Sequence, residues 1–399
     1  MTDRLVFLTP GYSDPGGVAR RSQALASAFA DRGWRVLVLA RAPHLWRPRL
    51  SRDRALTVVE IPGFGIDRVG SLLFLLCALP LGTGLGFAGA SFLAIKLMSS
   101  SSTAALCGML SGRPFITMAT SSGPDSEVEF LRGALRSRGG GKRAPWWAGP
   151  GLRLRRRLLR RAAFVVAQTP GAAGDLAQLI DSERIVVVPN PVAAVDAHPL
   201  TGRLRAVFTG RLSRQKDPLT LLDAWRMVVD KHPDARLTVV GEGGRHESVE
   251  TAVRRRVAAD SALRRSVRLT GWVPDVTPHL VAADVFVLPS LTEGMSNSLL
   301  EACALGRVAV ASDIPPNRFV LGDGYPLLFP PGDADALARC LLDAFEQEAI
   351  RSDARARIAA RMGDFTLEAV VDRLEELIRS APASARRGRP GRRPPSASN

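Results

Sequence analysis

The chain has 399 residues, 46% of them hydrophobic, and a formal net charge of +16. That length is too great for one ordinary core and predicts two domains; the apolar share is that of a globular protein, and the charge points to an anionic partner. Four cysteines (Cys77, Cys107, Cys303, Cys340) without metal or redox spacing, and histidines scattered singly, argue against a metal site built on paired ligands.

The first residues pass directly into a strand-like run at 5–9, with no long apolar leader, so a cytoplasmic location is the default expectation. A Gly-rich turn at Pro15-Gly16-Gly17, helical periodicity over 18–31, a stop at Gly33 and an alternating run at 35–40 make a β-loop-α-β opening. That order belongs to a parallel sheet with crossover helices. A third strand is expected at 56–61. No charged residue occurs between Arg68 and Lys96. The span is long enough for a membrane helix, yet Pro80, Gly82, Gly84, Gly86 and Gly89 are expected to break it near the middle, and a packed helix followed by a buried strand fits equally well.

A helix at 103–110, a strand at 114–118 and a hydroxyl-rich loop at 120–125 follow. From Arg132 to Arg161 there are eleven Lys or Arg and no Asp or Glu, including a basic amphipathic helix at 152–161. Such a stretch suits solvent or an anionic membrane surface. Nucleic acid is disfavoured as partner, because only Trp146 and Trp147 interleave with the positive charge to stack bases. Strands at 163–167 and 185–188 lead into a Pro-rich linker at 189–199. Residues 1–198 are therefore read as the first domain and 199–380 as the second, with closing helices at 333–345 and 364–378; the Pro, Ser and Arg-rich 381–399 is read as a disordered basic tail.

In the second domain, a strand at 204–209 is followed by Gly210-Arg211-Leu212-Ser213-Arg214-Gln215-Lys216. A strand at 285–288 is followed by Glu293-Gly294-Met295-Ser296-Asn297-Ser298-Leu299-Leu300-Glu301. Open parallel sheets bind ligands at their carboxyl edge, so both loops should share one rim. Ser296 or Asn297 would cap the helix that carries Glu301, and positions four apart, such as Asn297 and Glu301, share a face. A helix start attracts phosphate, Arg211 and Lys216 offer positive charge, and carboxylates accept hydrogen bonds from hydroxyls. Solvated glutamates and surface cations are the plain alternative. Asp333-Ala334-Asp335 resembles a metal pair but lies where helix capping is expected. No Ser-His-Asp arrangement, CxxC pair or Walker-type loop appears.

On Gly210-Arg211 with Lys216, Val240-Gly241-Glu242-Gly243, Gly271-Trp272-Val273 and above all Glu293 to Glu301, the second half resembles retaining glycosyltransferases of family 4, with the GT-B fold and its E-x7-E motif. The first half is similar only in layout, at Pro15-Gly16-Gly17 and Val186-Val187-Val188-Pro189-Asn190-Pro191. The resemblance implies two Rossmann-like domains facing across a cleft. It implies that Arg211 and Lys216 bind the donor diphosphate and steady the leaving group, and that Glu293 faces the donor sugar. Gly210 and the stretch Gly294, Met295, Ser296, Asn297, Ser298 would contact the donor, Glu301 would hold the ribose, and Gly16 and Gly17 would close over it. It implies a UDP- or GDP-sugar as substrate, no metal or other cofactor in the catalytic step, and a glycan, lipid-linked or polysaccharide acceptor; the basic stretch 132–161 with the apolar span 69–95 leads to the expectation that this acceptor lies at the inner face of a membrane. One departure is plain: many relatives carry a histidine near the end of the strand matching 114–118, where this chain has Ala119-Thr120-Ser121-Ser122-Gly123, so either hydroxyls or Asp125 and Glu127 take that place, or the active site is arranged differently. The alternatives are an epimerase or phosphorylase on the same fold, or a non-catalytic nucleotide-binding module.

Overall fold

Short aliphatic runs bounded by Gly, Pro and Asn are suited to strands buried on both faces, and they alternate here with amphipathic helices. A computed structural model of the chain describes residues 3–382 apart from 14–15, 43, 65–66, 98, 121–127, 129–130, 132–147 and 244–247. Pro15, most of the 120–125 loop, Asp125, Glu127, the basic run 132–147 with Trp146 and Trp147, and the tail from 383 lie outside the described residues.

The first unit runs β1 (Arg4–Thr9), α1 (Gly17–Asp31), β2 (Arg35–Ala42), β3 (Arg49–Asp53), β4 (Leu56–Pro62), α2 (Asp67–Phe87), β5 (Ser91–Ile95), α3 (Ser99–Ser111), β6 (Phe115–Met118), α4 (Ala148–Leu159), β7 (Phe164–Ala167), α5 (Pro170–Ala177) and β8 (Ile185–Val187). Its strands lie in the order β3-β4-β2-β1-β5-β6-β7-β8. All pairs are parallel except the hairpin of β3 with β4, an edge strand whose residues are exposed and carry no apolar alternation that would have marked it in the sequence.

The second unit runs β9 (Arg205–Thr209), α6 (Pro218–Lys231), β10 (Arg236–Val240), α7 (Ser248–Ala259), α8 (Ser261–Ser266), β11 (Val267–Gly271), α9 (Thr277–Val281), β12 (Val285–Leu288), α10 (Asn297–Ala304), β13 (Val308–Ser312), α11 (Pro315–Leu321), β14 (Leu328–Phe329), α12 (Ala334–Glu346), α13 (Glu348–Met362) and α14 (Leu367–Ser380). Its parallel sheet has the order β11-β10-β9-β12-β13-β14. This is the doubly wound Rossmann pattern, with the connection reversing direction between β9 and β12. In the first sheet the reversal falls between β1 and β5.

Two expectations from the sequence are corrected. Helix α2 is not broken at its middle: it continues through Pro80 to Phe87. Its glycines serve packing, since a Cβ at Gly82 would lie 2.7 Å from Cys107 Sγ and one at Gly86 2.3 Å from Ser111 Oγ, both on α3. The last helix, α14, counted with the second domain, packs on the first. Its apolar stripe of Val370, Val371, Leu374, Leu377 and Ile378 joins Leu5, Phe7, Phe29 and Trp34 in one core. Arg32 pairs with Asp372 at 2.6 Å, and Arg379 lies 5.7 Å from the Trp34 ring centre. The chain therefore crosses between the two units twice, and Val192 of the outward crossing bridges Thr366 of the return.

Arg307, fully buried before β13, holds the linker to the second sheet. Its guanidinium donates to the carbonyls of Ala283 at 2.8 Å, Leu305 at 3.1 Å, Pro199 at 3.3 Å and His198. Asp333 caps α12, accepting from Ala336 N at 2.8 Å.

Candidate active site

The reversal between β9 and β12 opens a crevice at the carboxyl ends of the second sheet, and the two loops singled out in the sequence flank it. Residues 210–216 leave β9 alongside the loop after β10: Gly210 N donates to Val240 O at 2.9 Å and Leu212 N to Glu242 O at 3.0 Å. The two backbones run so close that a Cβ on Gly241, whose φ is +132°, would fall 2.0 Å from Gly210 O. Gly241→Ala is therefore expected to cost on the order of 2–3 kcal/mol, combining backbone strain with a backbone clash. Urea unfolding of the variant checks this; a stability equal to the parent's refutes the constraint.

A 3-10 turn at Arg214–Lys216 then leads, through Asp217 in the left-handed region at φ +45°, into α6 with Pro218 at its first turn. The turn aims Lys216 inward. Its Nζ donates to Glu293 Oε1 at 2.5 Å, and Ser290 Oγ donates to the same oxygen at 2.6 Å. Two further bonds tie the loops together: Leu291 N to Gln215 O at 2.8 Å, and Gln215 Nε2 to Thr292 O at 2.9 Å. Ser290 is itself fixed, its carbonyl accepting from Ser312 Oγ at 2.6 Å. The pair is nearly dry, with side-chain exposures of 16% for Lys216 and 7% for Glu293. A buried charge pair braced by extra hydrogen bonds keeps its geometry when a ligand arrives, which is what positioning of a charged substrate requires.

Gly294 to Ser298 form the entry to α10. Ser296 caps it by accepting from Leu299 N at 3.4 Å, and Met295 is buried. Helix α10 thus begins at Asn297, four positions after Glu293, and the first N–H groups of such a helix start are free to meet an anion. Arg211 stands on the same loop as Lys216 but is exposed, and does not join the pair.

Asn297 and Glu301 share the face of α10 turned to the first unit. Asn297 Oδ1 accepts from Asn190 Nδ2 at 2.8 Å, and Asn190 Oδ1 accepts from Gln168 Nε2 at 2.8 Å. Gly17 lies opposite: a Cβ there would come within 2.9 Å of Asn297 Nδ2, so glycine lets the starts of α1 and α10 approach. Nothing lies within 4 Å of where a Gly16 Cβ would stand. Glu301 lines a cavity of about 270 Å³ between the units, with Arg20, Arg21, Asn190, Asp275 and Thr277. Burial raises its carboxyl pKa above the ordinary value, Arg20 opposing the rise and Asp275 adding to it. A half-sheltered carboxylate on a cavity wall can accept two hydroxyl hydrogen bonds.

Lys216 and Glu293 meet directly, whereas Glu301 and Asn297 form a separate wall facing the first unit. Ser290, Gln168, Asn190, Arg20, Arg21 and Asp275 were missed in the sequence. Only Asn190, set between two prolines at a strand end, carried a local signal there. Among the described residues, no cluster of three His, Cys, Asp or Glu side chains could hold a metal ion.

Residues 16–191 match a family model described as "Glycosyl transferase 4-like domain", and residues 203–347 match one described as "Glycosyl transferases group 1". The chain is 30% identical over 237 residues to the lipopolysaccharide core biosynthesis glycosyltransferase LpsE of Rhizobium meliloti (strain 1021), covering 56% of this chain and 66% of that one. It is 32% identical over 208 residues to the phosphatidyl-myo-inositol mannosyltransferase of Mycolicibacterium smegmatis, covering 48% and 52%. The chain thus spans about half to two thirds of the length of these curated relatives. Among solved structures, Anabaena Alr3699/HepE in complex with UDP and glucose superposes with a TM-score of 0.72 at 17% identity, covering 94% of this chain and 99% of that one. At that identity the likeness establishes the fold, which is GT-B.

Proposed function

We infer that this chain, which carries the two domains of a GT-B glycosyltransferase, is a retaining enzyme that moves a sugar from a UDP- or GDP-sugar to a glycan, lipid-linked or polysaccharide acceptor. The observation that carries the reading is the Lys216–Glu293 pair at the sheet reversal, in the loop that leads into α10, whose Asn297 faces Gly17. In this reading Lys216 and the exposed Arg211 take the donor diphosphate. As the bond from the anomeric carbon to the diphosphate oxygen lengthens, negative charge grows on the leaving group, and preorganised cations lower that barrier most. Glu293, held by Lys216 and Ser290, presents its carboxylate to the donor sugar. The N–H groups from Gly294 to Ser298 meet phosphate and sugar oxygens, and Glu301 takes the ribose hydroxyls. No step in this scheme calls on a metal.

A thermal-shift panel of UDP, GDP, ADP and their sugars tests the reading. A ligand present at about 100 times its Kd adds about 2.7 kcal/mol to the folded state, so the true donor base raises the melting temperature and the others do not. No shift with any nucleotide refutes the donor site. Product analysis separates the alternatives: a glycoside supports transfer, whereas a free epimerised sugar or a sugar phosphate supports an epimerase or phosphorylase.

A peripheral position on the inner face of an anionic membrane is part of the proposal. Residues 70–87 of α2 are long and apolar enough to cross a membrane, yet Phe74 and Ala78 pack inward, leaving Leu72, Leu76, Leu81 and Phe87 exposed. Helix α3, packed between α2 and α4, adds exposed Met109 and Leu110, and α4 adds Leu154 with exposed Arg153 and Arg157. An apolar stripe bordered by arginines suits an interface of acyl chains and anionic headgroups. Replacing Leu72 and Leu76 by Asp is expected to weaken binding to phosphatidylglycerol vesicles by about tenfold or more, measured by flotation. Unchanged binding refutes this face.

A further inference from the structure

Arg21 and Arg307 are the buried arginines among the described residues, 6% and 0% exposed. Their surroundings differ. Arg307 is met by four carbonyl oxygens, whereas Nε and Nη1 of Arg21 make no hydrogen bond, and its Nη2 reaches only Met118 Sδ at 4.0 Å. A thioether is a weak acceptor. Burial pulls the Arg21 guanidinium down to about 10, so it remains charged at neutral pH. A buried cation without an anion is costly, and natural chains retain such a group where something else supplies the charge.

The position of Arg21 names that partner. It lies one turn into α1 and lines the cavity between the units together with Arg20 and Asn190. Its contact Met118 ends β6, and the neighbouring strand β5 is followed by Lys96, whose N donates to Met118 O at 3.0 Å. Three cations, Arg20, Arg21 and Lys96, therefore stand at the carboxyl edge of the first sheet, the edge where such sheets take ligands. Two carboxylates on the second unit's wall, Glu301 and Asp275, act electrostatically on Arg20.

We propose that Arg21 anchors a phosphate group of the acceptor, at a subsite separate from the donor diphosphate. The class of acceptor rests on the transferase reading above; the anion subsite does not. A guanidinium with unfilled N–H groups matches the oxygens of a phosphate, and the thioether of Met118, a weak acceptor, competes poorly for it. The phosphate belongs either to a lipid or to a soluble sugar phosphate, and both present anionic phosphate oxygens to a guanidinium.

The test uses the full chain and isothermal titration with inorganic phosphate, in the presence of a saturating nucleoside diphosphate. The parent is expected to bind phosphate under those conditions. Arg21→Met should weaken phosphate binding by about tenfold or more while keeping nucleotide affinity, and Lys216→Ala should do the reverse. Without ligand, Arg21→Met should melt at or above the parent temperature, because an unpaired buried charge has been removed. Should that variant fail to fold, Arg21→Lys, which keeps charge but loses the fork, is expected to bind phosphate more weakly than the parent. Phosphate affinity equal to the parent's in the Arg21 variant, displacement of phosphate by the nucleotide, or no phosphate binding by the parent would each overturn the assignment. Failure of every nucleotide to bind the parent refutes the transferase reading instead and leaves the phosphate measurements decisive for Arg21. Competition of glucose 1-phosphate, against phosphatidylinositol in mixed micelles, then identifies the source of the phosphate.

Discussion

Lys216→Ala is expected to reduce sugar transfer by about 10²–10³-fold, the cost typical of removing one preorganised group that stabilises a developing oxyanion. The expected loss falls on kcat as well as on donor affinity, because the positive charge is needed most when the diphosphate departs. Glu293→Ala should fall by a similar factor. Glu293→Gln tests the reason: it keeps the volume and a hydrogen bond to Ser290 but removes the charge, so activity near the parent's would place Glu293 in a structural role. Lys216 and Glu293 touch at 2.5 Å, so the double variant should lose less than the product of the single losses. Strictly multiplicative losses would mean that the two act independently, and full activity in both single variants would remove the site altogether. Initial rates at saturating and limiting donor separate these outcomes.

The second large effect concerns stability. Arg307→Ala leaves the carbonyls of Ala283, Leu305, His198 and Pro199 without that donor in a dry interior, and opens a void where a fully buried side chain stood. Leaving several buried carbonyls without their donor, together with the cavity, costs on the order of 3 kcal/mol or more. The variant should therefore unfold at a clearly lower urea concentration, and the loosened linker at 198–199 should become a site of proteolysis. A midpoint within error of the parent's would show that these carbonyl bonds contribute little. Arg307→Met, which refills the volume without restoring the hydrogen bonds, separates the cavity from the lost donors.

Much of this was legible from local pattern. A four-residue apolar run such as Val285–Leu288, too short for a helix and followed by Pro289, reads as a strand, and Ser296 is a side chain that starts helices, so Glu293 falls in a loop and Glu301 on a helix without any tertiary information. The α2 glycines read as helix breakers because their cost is local, whereas their use, close approach to α3, depends on a neighbour. Helix α14 shows the same limit from the other side. Its amphipathic stripe was visible, but an apolar stripe does not say which unit it covers, and Phe29 of α1 and Trp34 just after it, with Leu5 and Phe7 of β1, took it.

The amino-acid sequence by itself determined the alternation of strands and helices, the eight-residue separation of Glu293 and Glu301, and the excess of positive charge, because these rest on local propensity, spacing and counting. Only the tertiary structure decided which charges meet. Sheet order brings β9 beside β12, so Lys216 reaches a carboxylate 77 positions away, while Arg211 on the same loop remains in solvent. It also decided that Arg307 is satisfied and Arg21 is not. Burial and hydrogen-bond partners are set by elements distant in the chain, and one arginine in a sequence looks like another until its neighbours are known.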